Sequence, residues 1–457
     1  MKQIEYTERA VLAGAELAGG TDPKEEFERS MEELANLAKA CYIEPAAVVT
    51  QRLESVHKGL YMGKGKVQEI REVAQRLEAD LVLFDNALTP SQLRNLQDEI
   101  GKPVMDRTSL ILDIFESRAR TREAKLQVET ARLQYLLPRL VGMHEALTRQ
   151  GGTSGSMSSR GSGEKKLELD RRRIEHRLTE LKKELEEVTV ERRVQRRRRQ
   201  AGKIPLVALV GYTNAGKSTI MNAMVDAYVQ DEEKRVLEED MLFATLDTSV
   251  RRINTGNNQD FLLSDTVGFI HKLPHDLVKA FRSTLEEVQN ADLLLHVADC
   301  SDPFYQEQMK TTLDTLGELG AGDIPMLTIY NKADLSESFK DYPQRKGDKL
   351  YLCAREEESL RLLTEAILEK VYADWVEYRL LIPFEKGNVA TYLMENAQVI
   401  SRRYTQEGTE LAVKCHKMDK NKFAEYTLLA EPDGQACRAQ GETLFHTLTG
   451  TSWSWAT

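Results

Sequence analysis

The feature that most constrains this chain is the octapeptide Gly211-Tyr-Thr-Asn-Ala-Gly-Lys-Ser218. It follows the apolar run Leu206-Val-Ala-Leu-Val210 and precedes Thr219-Ile-Met-Asn-Ala-Met224, whose composition favours a helix. A strand, a glycine-rich turn and a helix in that order turn G-x-x-x-x-G-K-[ST] from a pattern into a phosphate-binding loop. Gly211 and Gly216 let the backbone wrap a polyphosphate, with Tyr212, Thr213, Asn214, Ala215 and Thr219 completing the cradle. The helix N-terminus adds partial positive charge beneath it. Lys217 is placed to reach the β- and γ-phosphates, and the Ser218 hydroxyl to ligate Mg²⁺.

Downstream motifs test that reading. Phe261-Leu-Leu-Ser264 reads as a strand running into Asp265-Thr266-Val267-Gly268. There Asp265 would hold Mg²⁺ through water and the Gly268 N–H would bond the γ-phosphate. Thr245, in the run Leu242-Phe243-Ala244-Thr245-Leu246, lies in a polar segment from about 230 to 250 and supplies a second hydroxyl for the metal. Lys217, Thr245 and Gly268 form the expected catalytic set. A strand at Pro325–Tyr330 ends in Asn331-Lys332-Ala-Asp334, where the base would be read. A carboxylate at Asp334 accepts from guanine N1–H and the exocyclic amine, and adenine lacks that pair of donors. A further strand, Leu350–Ala354, brings Cys353, Ala354 and Arg355 to the base, with the Ala354 N–H in reach of O6. Alone, N-K-x-D is weak; after a P-loop, a threonine and D-x-x-G, it is strong. The residue after Gly268 is Phe269, and a phenyl ring cannot orient an attacking water. Slow intrinsic hydrolysis, raised by a partner, is therefore expected, with the Thr245 region and His271 as candidate groups in cis.

Composition limits the partners. The chain has 457 residues and a net charge of −10, which argues against a generic polyanion binder. Between Arg160 and Gln200, however, 15 Lys/Arg face 9 Asp/Glu. A basic segment on an acidic protein suggests a directed contact with nucleic acid, and Arg160, Arg171, Arg172, Arg173, Arg196, Arg197, Arg198 and Arg199 are the candidate RNA-binding residues. The five cysteines show no paired spacing, and no apolar run approaches a membrane span, so a cytoplasmic protein is expected.

The expected architecture is multidomain α/β. Residues 1–110 alternate strand and helix signals and read as a small α/β domain. In it, Thr89-Pro-Ser-Gln92 marks a capped helix start and Gly63-Lys-Gly-Lys66 a basic surface turn. Two long helical stretches, about 107–142 and 164–200, place Leu126, Leu133, Leu137 and Leu140 against Leu167, Ile174, Leu178, Leu181, Leu185 and Val188. They predict a long antiparallel hairpin over 111–200 with a Gly/Ser-rich tip loop at 142–163. Residues 201–376 form the P-loop GTPase domain, with a mixed, mostly parallel sheet. Residues 377–457 read as a small C-terminal α+β domain.

These residues resemble the HflX-type ribosome-associated GTPases over essentially the whole chain. The resemblance is carried by Gly211–Thr219, Phe243-Ala-Thr-Leu-Asp247, Asp265–Ile270, Leu273-Pro-His275 and Phe281–Glu287. In the N-terminal half it is carried by Phe84-Asp-Asn86, Pro90–Leu93 and Leu167–Ile174. It implies GTP/GDP binding with Mg²⁺, binding to the large ribosomal subunit and its RNA, GTPase stimulation by ribosomes, and splitting or rescue of stalled ribosomes under stress. It further implies a hairpin loop that reaches toward the peptidyl-transferase centre, and some family members use ATP through the N-terminal region. A monomer, partly ribosome-associated, is expected. Two departures stand out. Gly161-Ser-Gly-Glu-Lys165 replaces Gly-Pro-Gly-Glu-Thr, which suggests a specialised or antibiotic-responsive relative. Cys353-Ala-Arg355 replaces Ser-Ala-Lys. The alternative is a GTP-gated ribosome-binding assembly or hibernation factor with negligible turnover.

Overall fold

A computed structural model describes residues 6–17, 24–150, 157–201, 204–229, 241–243, 246, 248–256, 258–272, 287–336, 339, 341–417 and 420–427. The chain forms two compact units, Met1–Ala373 and Asp374–Thr457.

The first unit opens with β1 (Glu8–Leu17), α1 (Lys24–Ala40), β2 (Ile43–Leu53), α2 (Lys64–Arg76), β3 (Leu81–Phe84), α3 (Pro90–Ile100) and β4 (Val104–Asp106). The strands form a parallel sheet in the order β2-β1-β3-β4. Their alternation explains the layering. Leu12, Leu81 and Leu83 pack on Leu34 and Leu37 of α1, whereas Val11, Val82 and Phe84 face Ile70, Leu96 and Ile100 of α2 and α3. A sheet covered on both faces needs such continuous apolar strands. The expected capping box is present at α3: the Gln92 N–H donates to Thr89 Oγ1 at 3.3 Å and the Thr89 N–H to Gln92 Oε1 at 3.0 Å.

Three helices follow: α4 (Arg107–Arg118), α5 (Arg122–Gln150) and α6 (Met157–Ala201). The helix expected from 107 to 142 is interrupted. Ala119 turns extended, and Thr121 Oγ1 accepts the Ala124 N–H at 3.1 Å, starting a new helix. Helix also extends further into the 142–163 stretch than expected, because Met143–Gln150 has helix-forming composition and α6 begins at Met157. Leu126, Leu178 and Leu181 are buried, and Arg177 makes a bidentate pair with Glu129 at 2.7 and 3.0 Å that joins α6 to α5.

The remainder of the unit is β5 (Leu206–Gly211), α7 (Lys217–Tyr228), β6 (Ser249–Ile253), β7 (Phe261–Asp265), β8 (Leu293–Asp299), α8 (Tyr305–Glu318), β9 (Met326–Asn331), β10 (Gln344–Lys346), β11 (Lys349–Tyr351) and α9 (Glu357–Val371). The sheet runs β10-β11-β9-β8-β5-β7-β6. Its inner strands are parallel, and β6 and β10 pair antiparallel at the two edges. The last expected strand ends early, at Tyr351. Past it the Cys353 N–H bonds the Ser359 hydroxyl instead of a neighbouring strand.

The second unit holds β12 (Trp375–Ile382), α10 (Gly387–Asn396), β13 (Gln398–Tyr404) and β14 (Thr409–His416). Its strands are antiparallel in the order β12-β14-β13, over a core of Leu380, Ile382, Leu393, Leu411 and Val413.

Candidate nucleotide-binding site

The site grows from the C-terminal ends of β5, β7 and β9, where an open α/β sheet has its crevice. β5 delivers the chain into Gly211–Ser218, and α7 starts at Lys217. Gly216 holds φ at +94°, and a Cβ there would stand 2.2 Å from Asn331 Nδ2, so only glycine fits. The buried Lys217 ammonium donates to the Gly211 and Tyr212 carbonyls at 3.1 and 2.7 Å. Burial pulls its pKa down to about 8, against the upward influence of Asp265. A polyphosphate arriving there would favour the charged form and raise the value again.

Asp265, fully buried at the end of β7, accepts the Ser218 hydroxyl at 2.8 Å. One hydroxyl and one carboxylate oxygen side by side at the mouth of the loop are hard donors of the kind Mg²⁺ takes, with phosphate and water oxygens completing its shell. The Thr266 hydroxyl instead ties β7 to β5 through the Leu209 carbonyl at 2.6 Å. Beyond it the segment folds back on the phosphate loop. The Thr213 N–H donates to the Phe269 carbonyl at 2.8 Å, and the Phe269 N–H to the Gly211 carbonyl at 3.1 Å. The Phe269 ring lies in the core.

On the base side, Asn331 is a clamp. Its Nδ2 donates to the Ala215 carbonyl at 3.0 Å and its Oδ1 accepts the Ala354 N–H at 3.1 Å. A guanine O6 would therefore share or replace that Ala354 bond. Lys332 adopts φ of +60° and its ammonium pairs with Asp299 at 2.7 Å. The Asp334 carboxylate is exposed. Burial, with the Asp334 carboxylate also raising it, holds the Cys353 thiol above its ordinary range. A cavity of about 290 Å³ joins Asn214, Gly216 and Thr219 to Asn331, Lys332, Asp334, Cys353, Ala354 and Arg355. Phosphate-loop and base-loop residues thus share one hollow.

Other expected residues lie elsewhere. The Phe243 ring packs edge-on against Phe115 of α4, with centroids 4.8 Å apart, and Val267 is buried. Ala244 and Thr245 fall outside the described residues, as do the side chains of Arg160 and Arg196–Arg199. Arg171, Arg172 and Arg173 are exposed on α6 and pair with Glu175, Glu168 and Asp170 of the same helix. His271 points to Glu26, at 3.2 Å. Sequence reasoning missed His296 of β8, which is buried with its Nε2 unpartnered among the described residues. Burial, and then Lys217, push its pKa down to about 4, so it is neutral. It also missed Ser30, Glu33, Asp85 and Arg107, which surround Tyr212 and Lys272.

Residues 28–116 match a family model described as GTP-binding GTPase N-terminal, 118–199 one described as GTP-binding GTPase middle region, and 206–332 one described as 50S ribosome-binding GTPase. A GTPase HflX of Caldanaerobacter subterraneus subsp. tengcongensis is 44% identical over 84% of this chain and 86% of its own length. One from Alkalihalophilus pseudofirmus is 42% identical over 93% and 96%. The chain belongs to the HflX family of GTPases. The Escherichia coli K12 member is 38% identical over 84% of this chain and 88% of its own. A solved GTP-binding protein from Sulfolobus solfataricus, in complex with GDP, aligns at 24% identity over 80% of this chain and 99% of that one, with a TM-score of 0.41. As an HflX-family member the chain is a GTP-hydrolysing enzyme.

Proposed function

We propose that this GTPase binds the large ribosomal subunit and uses its GTP/GDP cycle to split or rescue stalled ribosomes, under stress or antibiotic challenge. The observation that carries the reading is that the nucleotide domain matches a 50S ribosome-binding GTPase while α5 and α6, with their arginine clusters, adjoin it in the same compact unit. RNA of the subunit would be met by Arg160, Arg171–Arg173 and Arg196–Arg199, and the 142–163 segment would lead toward the peptidyl-transferase centre.

In hydrolysis, Lys217 would neutralise charge developing between the β- and γ-phosphates, and the loop N–H groups would hold the nucleotide in line. Mg²⁺, when bound, supplies a further cation on the phosphate oxygens, and Ser218 and Asp265, with Thr245, would hold it. Gly268 would sense the γ-phosphate through its N–H. Asp334 and Asn331 would select guanine. ATP use by the N-terminal region is carried over as a weaker expectation. Light scattering of intact ribosomes tests the reading: scattering falls with protein and GTP and holds with GDP. Equal scattering with both nucleotides would remove the splitting role.

A second reading, a GTP-gated ribosome-binding or hibernation factor with negligible turnover, is favoured by one observation. The residue after Gly268 is Phe269, whose ring is buried and cannot orient an attacking water.

A further inference from the structure

One polar group of the phosphate loop takes no part in the bonds that shape it. Thr213 is buried, with 6% of its surface exposed, and its hydroxyl has no hydrogen-bond partner among the described residues. Neighbouring hydroxyls are committed. Ser218 donates to Asp265 at 2.8 Å, and Thr266 to the Leu209 carbonyl at 2.6 Å. Buried polar atoms are nearly always hydrogen-bonded, so an orphaned one inside a phosphate-binding loop points to a ligand that pairs with it.

Its position says which part of the ligand. A Cβ on Gly268 would stand 2.8 Å from both Thr213 Cα and Thr213 Cγ2, and 3.0 Å from Lys217 Nζ. Gly268 and Lys217 are the groups expected to serve the γ-phosphate. Thr213 meets them at one point. The backbone of the next residue, Phe269, is held to Thr213 as well: the Thr213 N–H donates to the Phe269 carbonyl at 2.8 Å. Position 269 is where a water-orienting glutamine would sit, and here the phenyl ring turns into the core. Thr213 therefore brings an uncommitted hydroxyl to the place where that glutamine would start. His271, a little further along the same segment, turns to Glu26 at 3.2 Å.

We propose that Thr213 is a catalytic residue of GTP hydrolysis: its hydroxyl accepts a hydrogen bond from the attacking water, donates one to a γ-phosphate oxygen, and so holds the water in line. A hydroxyl can do both at once. In the step, the water oxygen bonds the γ-phosphorus as the bond from that phosphorus to the β,γ-bridging oxygen breaks. GDP leaves with the electron pair of that bond, one water proton passes to a γ-phosphate oxygen, and Thr213 ends as it began, neutral. A neutral hydroxyl polarises water only weakly, so the rate it sustains alone is low. The proposal rests on the GTPase assignment and not on the ribosome reading.

The test is single-turnover hydrolysis of GTP by the full chain carrying Thr213→Val or Thr213→Ser, with enzyme in excess and at saturation. Equilibrium binding of GDP and thermal unfolding are measured beside it. Valine keeps the shape of the side chain and drops the hydroxyl. Thr213→Val is expected to cut the rate on the order of 100-fold, as loss of one donor aimed at developing charge does. Its GDP affinity should hold, and its unfolding temperature should hold or rise, because a buried hydroxyl without a partner has been removed. Thr213→Ser keeps the hydroxyl and should keep most of the rate. A Thr213→Val protein that hydrolyses GTP at the parent rate overturns the proposal. So does an equal loss in both variants, which would make Thr213 a packing residue. A fall in GDP affinity that matches the fall in rate would overturn it too, leaving Thr213 as part of the cradle alone.

Discussion

At the scale of single residues, the chemistry turns on groups held in unusual surroundings. The Lys217 ammonium is depressed to about 8 by burial. A phosphate beside it favours the charged form and raises the value again, so nucleotide binding takes up a proton wherever the free lysine has begun to lose its own. The sign follows: GTP affinity is flat below about pH 8 and falls as pH rises above it. Calorimetry in buffers of different ionisation enthalpy should show proton uptake at pH near 9 and none near pH 6.5; equal uptake at both would refute the assignment. Asp334→Asn replaces an acceptor with an amide, and selectivity should move from guanine toward xanthine nucleotides in competition binding. Unchanged selectivity would overturn the base-reading role. These residues were legible because each motif is local: Gly216, Lys217 and Asp334 sit in short runs whose order alone says what they bind. Glu33, Arg107 and His296 were not legible. They lie in ordinary helical and strand sequence, and only the fold brings them to Tyr212 or near Lys217.

At the scale of elements, periodicity carried much of the reading. The apolar run of β1 and the Thr89 cap of α3 depend on neighbouring residues and could be read directly. The break between α4 and α5 could not, because Thr121 as an N-cap competes with an otherwise continuous helical pattern. Nor could the turns at 157–163, where Gly and Ser suggested a loop, whereas Met143–Gln150 has helix-forming composition. On α6 two predictions separate packing from charge. Leu181 is fully buried, so Leu181→Ala should cost about 2–5 kcal/mol of stability, read from denaturant unfolding. A loss under about 1 kcal/mol would mean that α5 and α6 are not firmly packed in solution. Replacing Arg196–Arg199 by Ala should instead leave stability alone, weaken ribosome binding and flatten its salt dependence, since each lost phosphate contact removes counterion release. An unaltered slope would return that run to a solvated face.

At the scale of the whole molecule, the first compact unit gathers everything the nucleotide cycle needs. The phosphate loop and the base loop both lie between Met1 and Ala373. No helix among the described residues is long and apolar enough to cross a membrane. With the Phe269 ring in the core, fast hydrolysis is expected to need a partner. The most direct measurement is the rate of GTP hydrolysis with and without purified large ribosomal subunits. Strong stimulation that Lys217→Ala abolishes is the predicted result. Tight binding to the subunit with no change in rate would contradict the account and leave a GTP-gated binding protein in its place.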